Sequence, residues 1–89
     1  MTRGEFAEAV YSYCVLLTAY ETGGYRPVQR NTEKHGVAHS AHLVKLASDV
    51  QYLQPVPLVS REAWARRLGL KLVVEDTHDH LEPLTWEKD

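Results

Sequence analysis

The apolar residues at the start of this chain recur at the spacing of an α-helix, and the pattern stops at a pair of glycines. Five of these side chains share one helical face: Phe6, Val10, Cys14, Leu17 and Tyr20. Thr2 and Glu5 precede them at the spacing of a capping box. Gly23 and Gly24 are typical of the residues that follow a last helical turn. We therefore predict one helix that begins after Thr2 and ends at these glycines.

Glycine and proline divide the rest of the chain into short segments. Residues 46–53, LASDVQYL, alternate like a strand and contain good strand formers. Residues 61–69 predict a second helix, which Ser60 can cap. Residues 70–76, LKLVVED, predict a strand, and residues 77–84, THDHLEPL, either continue it or fold back on it as a hairpin.

The lengths and order of these segments indicate one small α+β domain. The chain has 89 residues, of which 44% are hydrophobic and 25% are charged, as in an ordinary globular protein. We find no internal repeat and no linker, so we predict a single domain over residues 1–89. In it, a small antiparallel sheet packs against two or three helices.

Composition excludes several classes of function. A net charge of -2 provides no basic surface for nucleic acid. A single cysteine, Cys14, excludes an internal disulfide and a cysteine-built zinc site. The longest apolar run, residues 14–20, is too short for a transmembrane segment. The N-terminus lacks the pattern of a signal peptide, so we expect synthesis in a cytoplasm.

The histidines form two groups that suit zinc. There are five: His35, His39, His42, His78 and His80. His78 and His80 point the same way if they lie on one strand. Together with His42 and Asp49 they offer a His, Asp, His ligand set, which leaves a fourth position for water. The alternative is that residues 38–53 form an amphipathic helix, with His42 and Asp49 as polar edge residues.

Three motifs resemble the zinc peptidases of the D-alanyl-D-alanine carboxypeptidase family, whose usual motif is S-x-H-x-x-G-x-A-x-D. Ser40, His42 and Asp49 fall into register with this motif, although its glycine is Lys45 here. HDHLE resembles the family's terminal ligand motif, and the Tyr-Arg pair at residues 25–26 resembles an upstream element. The similarity extends in order from about Tyr25 to Glu82.

The resemblance implies a role for each matching residue. His42, Asp49 and His80 would hold zinc, and Ser40 would contact substrate or order its loop. Arg26 would neutralise the oxyanion that forms on the scissile carbonyl. His78 is the first choice for the general base. In a second register Glu75 is the base and His78 is the ligand, but strand alternation turns Glu75 away from both histidines unless a bulge intervenes. Asp79 or Glu82 would orient a ligand imidazole from outside the ligand set.

The implied activity is cleavage of bacterial peptidoglycan peptides, at D-Ala-D-Ala or L-Ala-D-Glu bonds. A phage lysis enzyme and a cytoplasmic dipeptidase are two settings in which it would act. Lys45 and the short chain favour a different function, in which the domain binds cell-wall peptide or a protein partner without cleaving it. A third interpretation is an unrelated α+β interaction module.

Overall fold

The computed structural model describes residues 1–23 and 47–85, which form two helices and a four-stranded antiparallel sheet. The elements in chain order are α1 (Arg3–Leu17), β1 (Ala19–Glu21), β2 (Ser48–Tyr52), α2 (Leu58–Arg67), β3 (Leu70–Val74) and β4 (Asp79–Pro83). This architecture confirms the predicted α+β class. Neither helix has the length and apolar character that a bilayer crossing requires.

Helix α1 begins where the sequence predicts it. The Thr2 hydroxyl accepts a hydrogen bond from the Glu5 backbone N–H at 3.2 Å, and the Glu5 carboxylate accepts one from the Thr2 N–H at 2.8 Å. The two bonds form the predicted capping box and satisfy N–H groups that have no partner inside the helix.

The end of α1 differs from the prediction. The helix stops at Leu17, six residues before Gly23, because Thr18 adopts a left-handed conformation with φ 52° and ψ 52°. In that conformation the Thr18 N–H donates to the Cys14 carbonyl and closes the last turn. A helix up to Gly23 is therefore wrong, and the residues after Thr18 form β1 instead. β-Branched residues rarely adopt this conformation, so no sequence signal marks the position.

Helix α2 also begins earlier than predicted. Its N-cap residue is Pro57, and Ser60 lies inside the helix with its N–H bonded to the Pro57 carbonyl at 3.0 Å. The prediction that Ser60 caps this helix is therefore wrong, because Pro57 occupies the N-cap position. Gly69 follows the helix with φ 80°, a conformation that glycine adopts without strain.

The strand order in the sheet is β1-β2-β4-β3. Strands β3 and β4 pair antiparallel, so the hairpin alternative for residues 77–84 is confirmed. Strand β2 pairs with β4, and Asp49 lies directly opposite His80 in this register. Residues 48–52 form a strand, so the amphipathic-helix alternative is wrong for that part of residues 38–53.

One face of the sheet packs against the helices and forms the core. The buried apolar side chains of helices and strands meet there: Phe6, Ala9, Val10, Tyr13, Leu17, Val50, Ala65, Leu70 and Leu81. Cys14 and Trp64 are partly buried against this core, and burial raises the pKa of the Cys14 thiol. A thiol in this position is a poor nucleophile at neutral pH, as the sequence predicts.

Candidate metal centre

Alternation along β2 and β4 places polar side chains on the sheet face opposite the core. Ser48 and Val50 are buried on β2, and Asp49 lies between them and faces the other way. On β4, Asp79, Leu81 and Pro83 are buried, whereas His80 and Glu82 are partly exposed. Asp49, His80 and Glu82 consequently share one face at the centre of the sheet.

Both nitrogens of the His80 imidazole contact carboxylates. Nδ1 lies 3.1 Å from Oδ1 of Asp49, and Nε2 lies 2.9 Å from Oε2 of Glu82. A neutral imidazole has a single N–H, and an ionised carboxylate can only accept a hydrogen bond. One of the two contacts therefore needs either a second proton on His80 or a cation between the two groups.

The β3–β4 turn brings two more candidate residues to the same place. The Glu75 N–H donates to the His78 carbonyl at 3.0 Å, which reverses the chain between the strands. Nε2 of His78 then lies 2.8 Å from Oε1 of Glu75 and 3.6 Å from Oδ1 of Asp49. Strand alternation predicted that Glu75 would point away from both histidines. That prediction is wrong, because the turn places its carboxylate against His78.

The distances in this cluster would accommodate a metal ion. Two ligands bound at about 2 Å in a tetrahedral arrangement lie roughly 3.3 Å apart. Oδ1 of Asp49 is 3.1 Å from Nδ1 of His80 and 3.6 Å from Nε2 of His78. Ligand atoms of Asp49, Glu75 and His80 also lie within 4.8 Å of one another. Imidazole and carboxylate together form a donor set that zinc accepts.

Glu82 contacts the ring nitrogen of His80 that does not contact Asp49. If Nδ1 of His80 binds a metal, its other nitrogen can donate to Oε2 of Glu82 at 2.9 Å. A carboxylate in this position fixes the tautomer and orientation of a ligand histidine. The sequence suggested Asp79 or Glu82 for this role, and only Glu82 contacts an imidazole of the described site.

Gly23 supports the opposite side of the cluster. A Cβ atom at this position would lie 2.9 Å from Oδ2 of Asp49, closer than side chains tolerate. The Thr22 N–H also donates to the Asp49 backbone carbonyl at 2.9 Å, so this segment runs directly along Asp49. Gly23 was predicted as a helix terminator, and its observed role is to let the backbone approach the Asp49 carboxylate.

A cleft of about 610 Å³ opens beside the cluster. It lies between the connector after β2, residues 53–56, and the β3–β4 turn. Glu75 and His78 form part of its wall, as do Tyr52 and Arg61. The cleft therefore gives an extended ligand a place next to the candidate metal ligands.

Asp79 lies on the core side of β4 and is only 3% exposed. Its Oδ2 accepts hydrogen bonds from Arg61 Nη1 at 2.6 Å and from the Tyr52 hydroxyl at 2.7 Å. The Tyr13 hydroxyl lies 2.6 Å from that of Tyr52. Burial raises the pKa of Tyr13 to about 12, and burial together with the Asp79 hydrogen bond raises the pKa of Tyr52. Asp79 thus belongs to a buried network, not to the histidine cluster.

The described residues contain one part of the predicted site and not the other. Asp49 contacts both His78 and His80, and Glu75 contacts His78, whereas their roles as ligands or bases stay predictions. Three predicted site residues lie outside the described residues: Arg26, Ser40 and His42. Tyr52 and Arg61 were not predicted from the sequence, because no motif marks them. The glycine at position 23 was the only sequence signal that the backbone there lies close to another group, which is the Asp49 carboxylate.

No protein-family model matches this chain, and neither a curated protein nor a solved structure matches it. The chemistry of the centre therefore has to be argued from its own residues and geometry.

Proposed function

We propose that this protein is a zinc-dependent peptidase that hydrolyses amide bonds in peptidoglycan stem peptides, at D-Ala-D-Ala or L-Ala-D-Glu linkages. The observation that carries the proposal is the contact of Asp49 with both histidines. Its Oδ1 lies 3.1 Å from Nδ1 of His80, a separation that two tetrahedral zinc ligands would have, and 3.6 Å from Nε2 of His78, the proposed base. The motif resemblance between Tyr25 and Glu82 supplies the substrate class, and a phage lysis enzyme is the setting that fits it.

Asp49 and His80 would hold the ion, with His42 as the third ligand that the motif implies. Bound zinc would lower the pKa of a water molecule to about 7 and so supply a nucleophile at neutral pH. Glu82 would keep Nδ1 of His80 free for the metal by accepting a hydrogen bond from the N–H at Nε2.

His78 and Glu75 are the groups that can move protons in this proposal. Their side chains lie 2.8 Å apart on the cleft wall, so a proton taken from water by one can be shared with the other. Either group could then deliver the proton to the leaving amine. Arg26 remains the residue proposed to neutralise the oxyanion, on the strength of the motif alone.

We place the substrate of this proposal in the cleft of about 610 Å³, because Glu75 and His78, the groups that would move protons, form part of its wall. The Tyr20 hydroxyl donates to the Gln51 amide oxygen along this cleft, and the Gln51 amide nitrogen donates to the Thr77 carbonyl. A stem peptide, which presents amide groups of the same two kinds, would exchange its own hydrogen bonds for these.

The test combines metal analysis with turnover. Protein purified without chelator should contain about one zinc per chain, and it should release new amino groups from purified muropeptides. Chelation should abolish the release, and added zinc should restore it. Mass spectrometry of the products would identify the scissile bond.

Two variants make the test specific. Asp49→Asn removes one carboxylate from the cluster and should abolish both zinc binding and turnover. Glu62→Gln removes an exposed carboxylate from α2 and should change neither. Absence of bound metal would end the proposal. Bound zinc without turnover would establish the alternative in which the domain binds cell-wall peptide and does not cleave it.

A further inference from the structure

Strand β4 carries two sets of side chains that serve opposite faces of the sheet. His80 faces Asp49 on the outer face, and Asp79, its neighbour in sequence, points into the core. Successive Cα atoms are about 3.8 Å apart, so the backbone cannot move at Asp79 without moving both flanking histidines. Whatever holds Asp79 also determines where His78 and His80 lie.

Asp79 is held by two donors from different elements. Arg61 of α2 and Tyr52 of β2 both bond to the same oxygen, at 2.6 Å and 2.7 Å. Arg61 is itself fixed, because its Nε donates to the Val56 carbonyl at 3.0 Å and its guanidinium lies 5.5 Å from the centre of the Tyr52 ring. The three side chains form a rigid clamp that ties the β3–β4 turn to the helix and to the central strand.

The direction of the hydrogen bonds distinguishes Tyr52, which bonds to Asp79 directly, from Tyr13, which does not. The Tyr52 hydroxyl has a single O–H group, which donates its hydrogen bond to Asp79 because a carboxylate can only accept one. Tyr52 must therefore accept a hydrogen bond from the Tyr13 hydroxyl. Tyr13 is one step further from Asp79, and its loss leaves both bonds to Asp79 in place.

We infer that Arg61 and Tyr52 are positioning residues for the metal centre, which they align by clamping Asp79 between the two histidines. The inference rests on the proposed function, since it concerns the residues that would hold zinc. Zinc–ligand distances keep to within about 0.2 Å of their usual values, so the ligand side chains must be closely aligned. An Asp79 that has lost a donor is a buried carboxylate with an unmet hydrogen bond, and it moves toward water together with the turn.

The experiment compares Tyr52→Phe and Arg61→Lys with Tyr13→Phe as the matched control. Each variant alters the same buried network, and the two tyrosine variants each remove one hydroxyl. Zinc affinity is measured by competition with a chromophoric chelator. The geometry of the centre is measured from the visible absorption of the cobalt-loaded protein, and stability from urea unfolding.

We expect Tyr52→Phe and Arg61→Lys to weaken zinc binding by roughly tenfold, the lower end of what loss of a direct hydrogen-bond partner of a ligand costs, because both act through the β4 backbone. The cobalt spectrum should change in both. Tyr13→Phe should unfold at lower urea concentration but keep the affinity and the spectrum of the wild type. Circular dichroism checks that each variant is folded. If Arg61→Lys does not fold, the zinc affinity and cobalt spectrum of Tyr52→Phe alone test the inference.

Two results would overturn the inference. One is a folded Tyr52→Phe with the affinity and spectrum of the wild type. The other is an equal loss of affinity in Tyr13→Phe, which would indicate general loosening of the core. A wild-type protein that binds neither zinc nor cobalt would instead refute the proposed function, and the inference with it.

Discussion

Asp49 and His80 lie directly opposite each other on β2 and β4, and Oδ1 of one is 3.1 Å from Nδ1 of the other. Their separation is set by the pairing of two central strands and not by a flexible loop. Cross-strand partners on one face keep their Cβ atoms about 4.5–5.5 Å apart. The candidate metal centre therefore has two of its residues, Asp49 and His80, on the paired central strands of the sheet.

The first prediction distinguishes the roles of the two histidines. If His80 is the ligand and His78 the base, His78→Ala should keep zinc and lose roughly a hundredfold to ten-thousandfold in rate, the usual contribution of a general base. His80→Ala should lose zinc as well. Metal content and muropeptide turnover are measured together on each variant.

Glu75→Gln resolves the second register. If His78 is the ligand, this variant keeps zinc and loses rate, and His78→Ala loses zinc. Because Glu75 and His78 are in contact, we expect a smaller rate loss in Glu75→Gln than in His78→Ala under the first register. Full zinc occupancy in His80→Ala would contradict the assignment of His80 as a ligand.

The second prediction concerns Glu82. Glu82→Gln replaces the carboxylate that accepts the hydrogen bond from Nε2 of His80, so the imidazole becomes a weaker and less oriented ligand. Zinc affinity should fall by roughly tenfold to a hundredfold, with little change in the urea midpoint. Calorimetric titration with zinc measures the change. An affinity equal to that of Glu62→Gln would show that Glu82 does not support the ligand.

The third prediction uses a residue without a functional group. Gly23→Ala adds a Cβ that would lie 2.9 Å from Oδ2 of Asp49, so the carboxylate or the backbone beside it must shift. Zinc affinity should fall even though no ligand is changed. Gly4→Ala is the control, because a Cβ at Gly4 meets nothing within 4 Å. Equal zinc affinity in the two variants would mean that the Gly23 segment yields without moving Asp49.

The fourth prediction is a loss of stability in alkali. Burial raises the pKa of Tyr13 from 10.0 to about 12, and that of Tyr52 is raised as well. Above pH 10 the unfolded chain releases these protons and the folded chain keeps them. The free energy of unfolding should therefore fall as the pH rises from about 10 toward 12, by about 1.4 kcal/mol per pH unit for each such tyrosine. The raised pKa of the Cys14 thiol adds a loss that begins near its ordinary pKa of 9.0.

Urea unfolding at several pH values measures this slope. Tyr13→Phe removes one of the protons that the folded state retains, so the slope between pH 10 and 12 should be shallower by about 1.4 kcal/mol per pH unit in that variant. A slope that is the same in the wild type and in Tyr13→Phe would show that Tyr13 is not the source of the effect.

Local patterns predicted much of the fold. The capping box at Thr2, the strand over residues 48–52 and the stop at Gly69 each follow from chemistry within a few residues. The early end of α1 does not, because Thr18 takes a left-handed conformation that its side chain disfavours. Packing of β1 against β2 compensates for that conformation, and such a long-range effect has no local signature.

Local patterns also predicted one part of the candidate site and missed the rest. Spacing brought Asp49, His78 and His80 into one hypothesis, and strand alternation predicted that His78 and His80 point the same way. In the structure Asp49 contacts both imidazoles. Alternation failed for Glu75, because the turn reverses the chain after Val74 and breaks the period of two. The Arg61–Asp79 bond joins α2 to β4, and nothing in the neighbourhood of either residue indicates its partner.

The strict alternation along β4 also ties the core and the candidate site to one strand register. A slip of β4 by one position against β2 would turn His80 and Glu82 inward and Leu81 outward. A chain with that slip would lose its core and its candidate metal ligands in the same step. Residues added to the β3–β4 turn leave the strand pairing in place when they extend the loop, so the turn can change in length while both faces of β4 are kept.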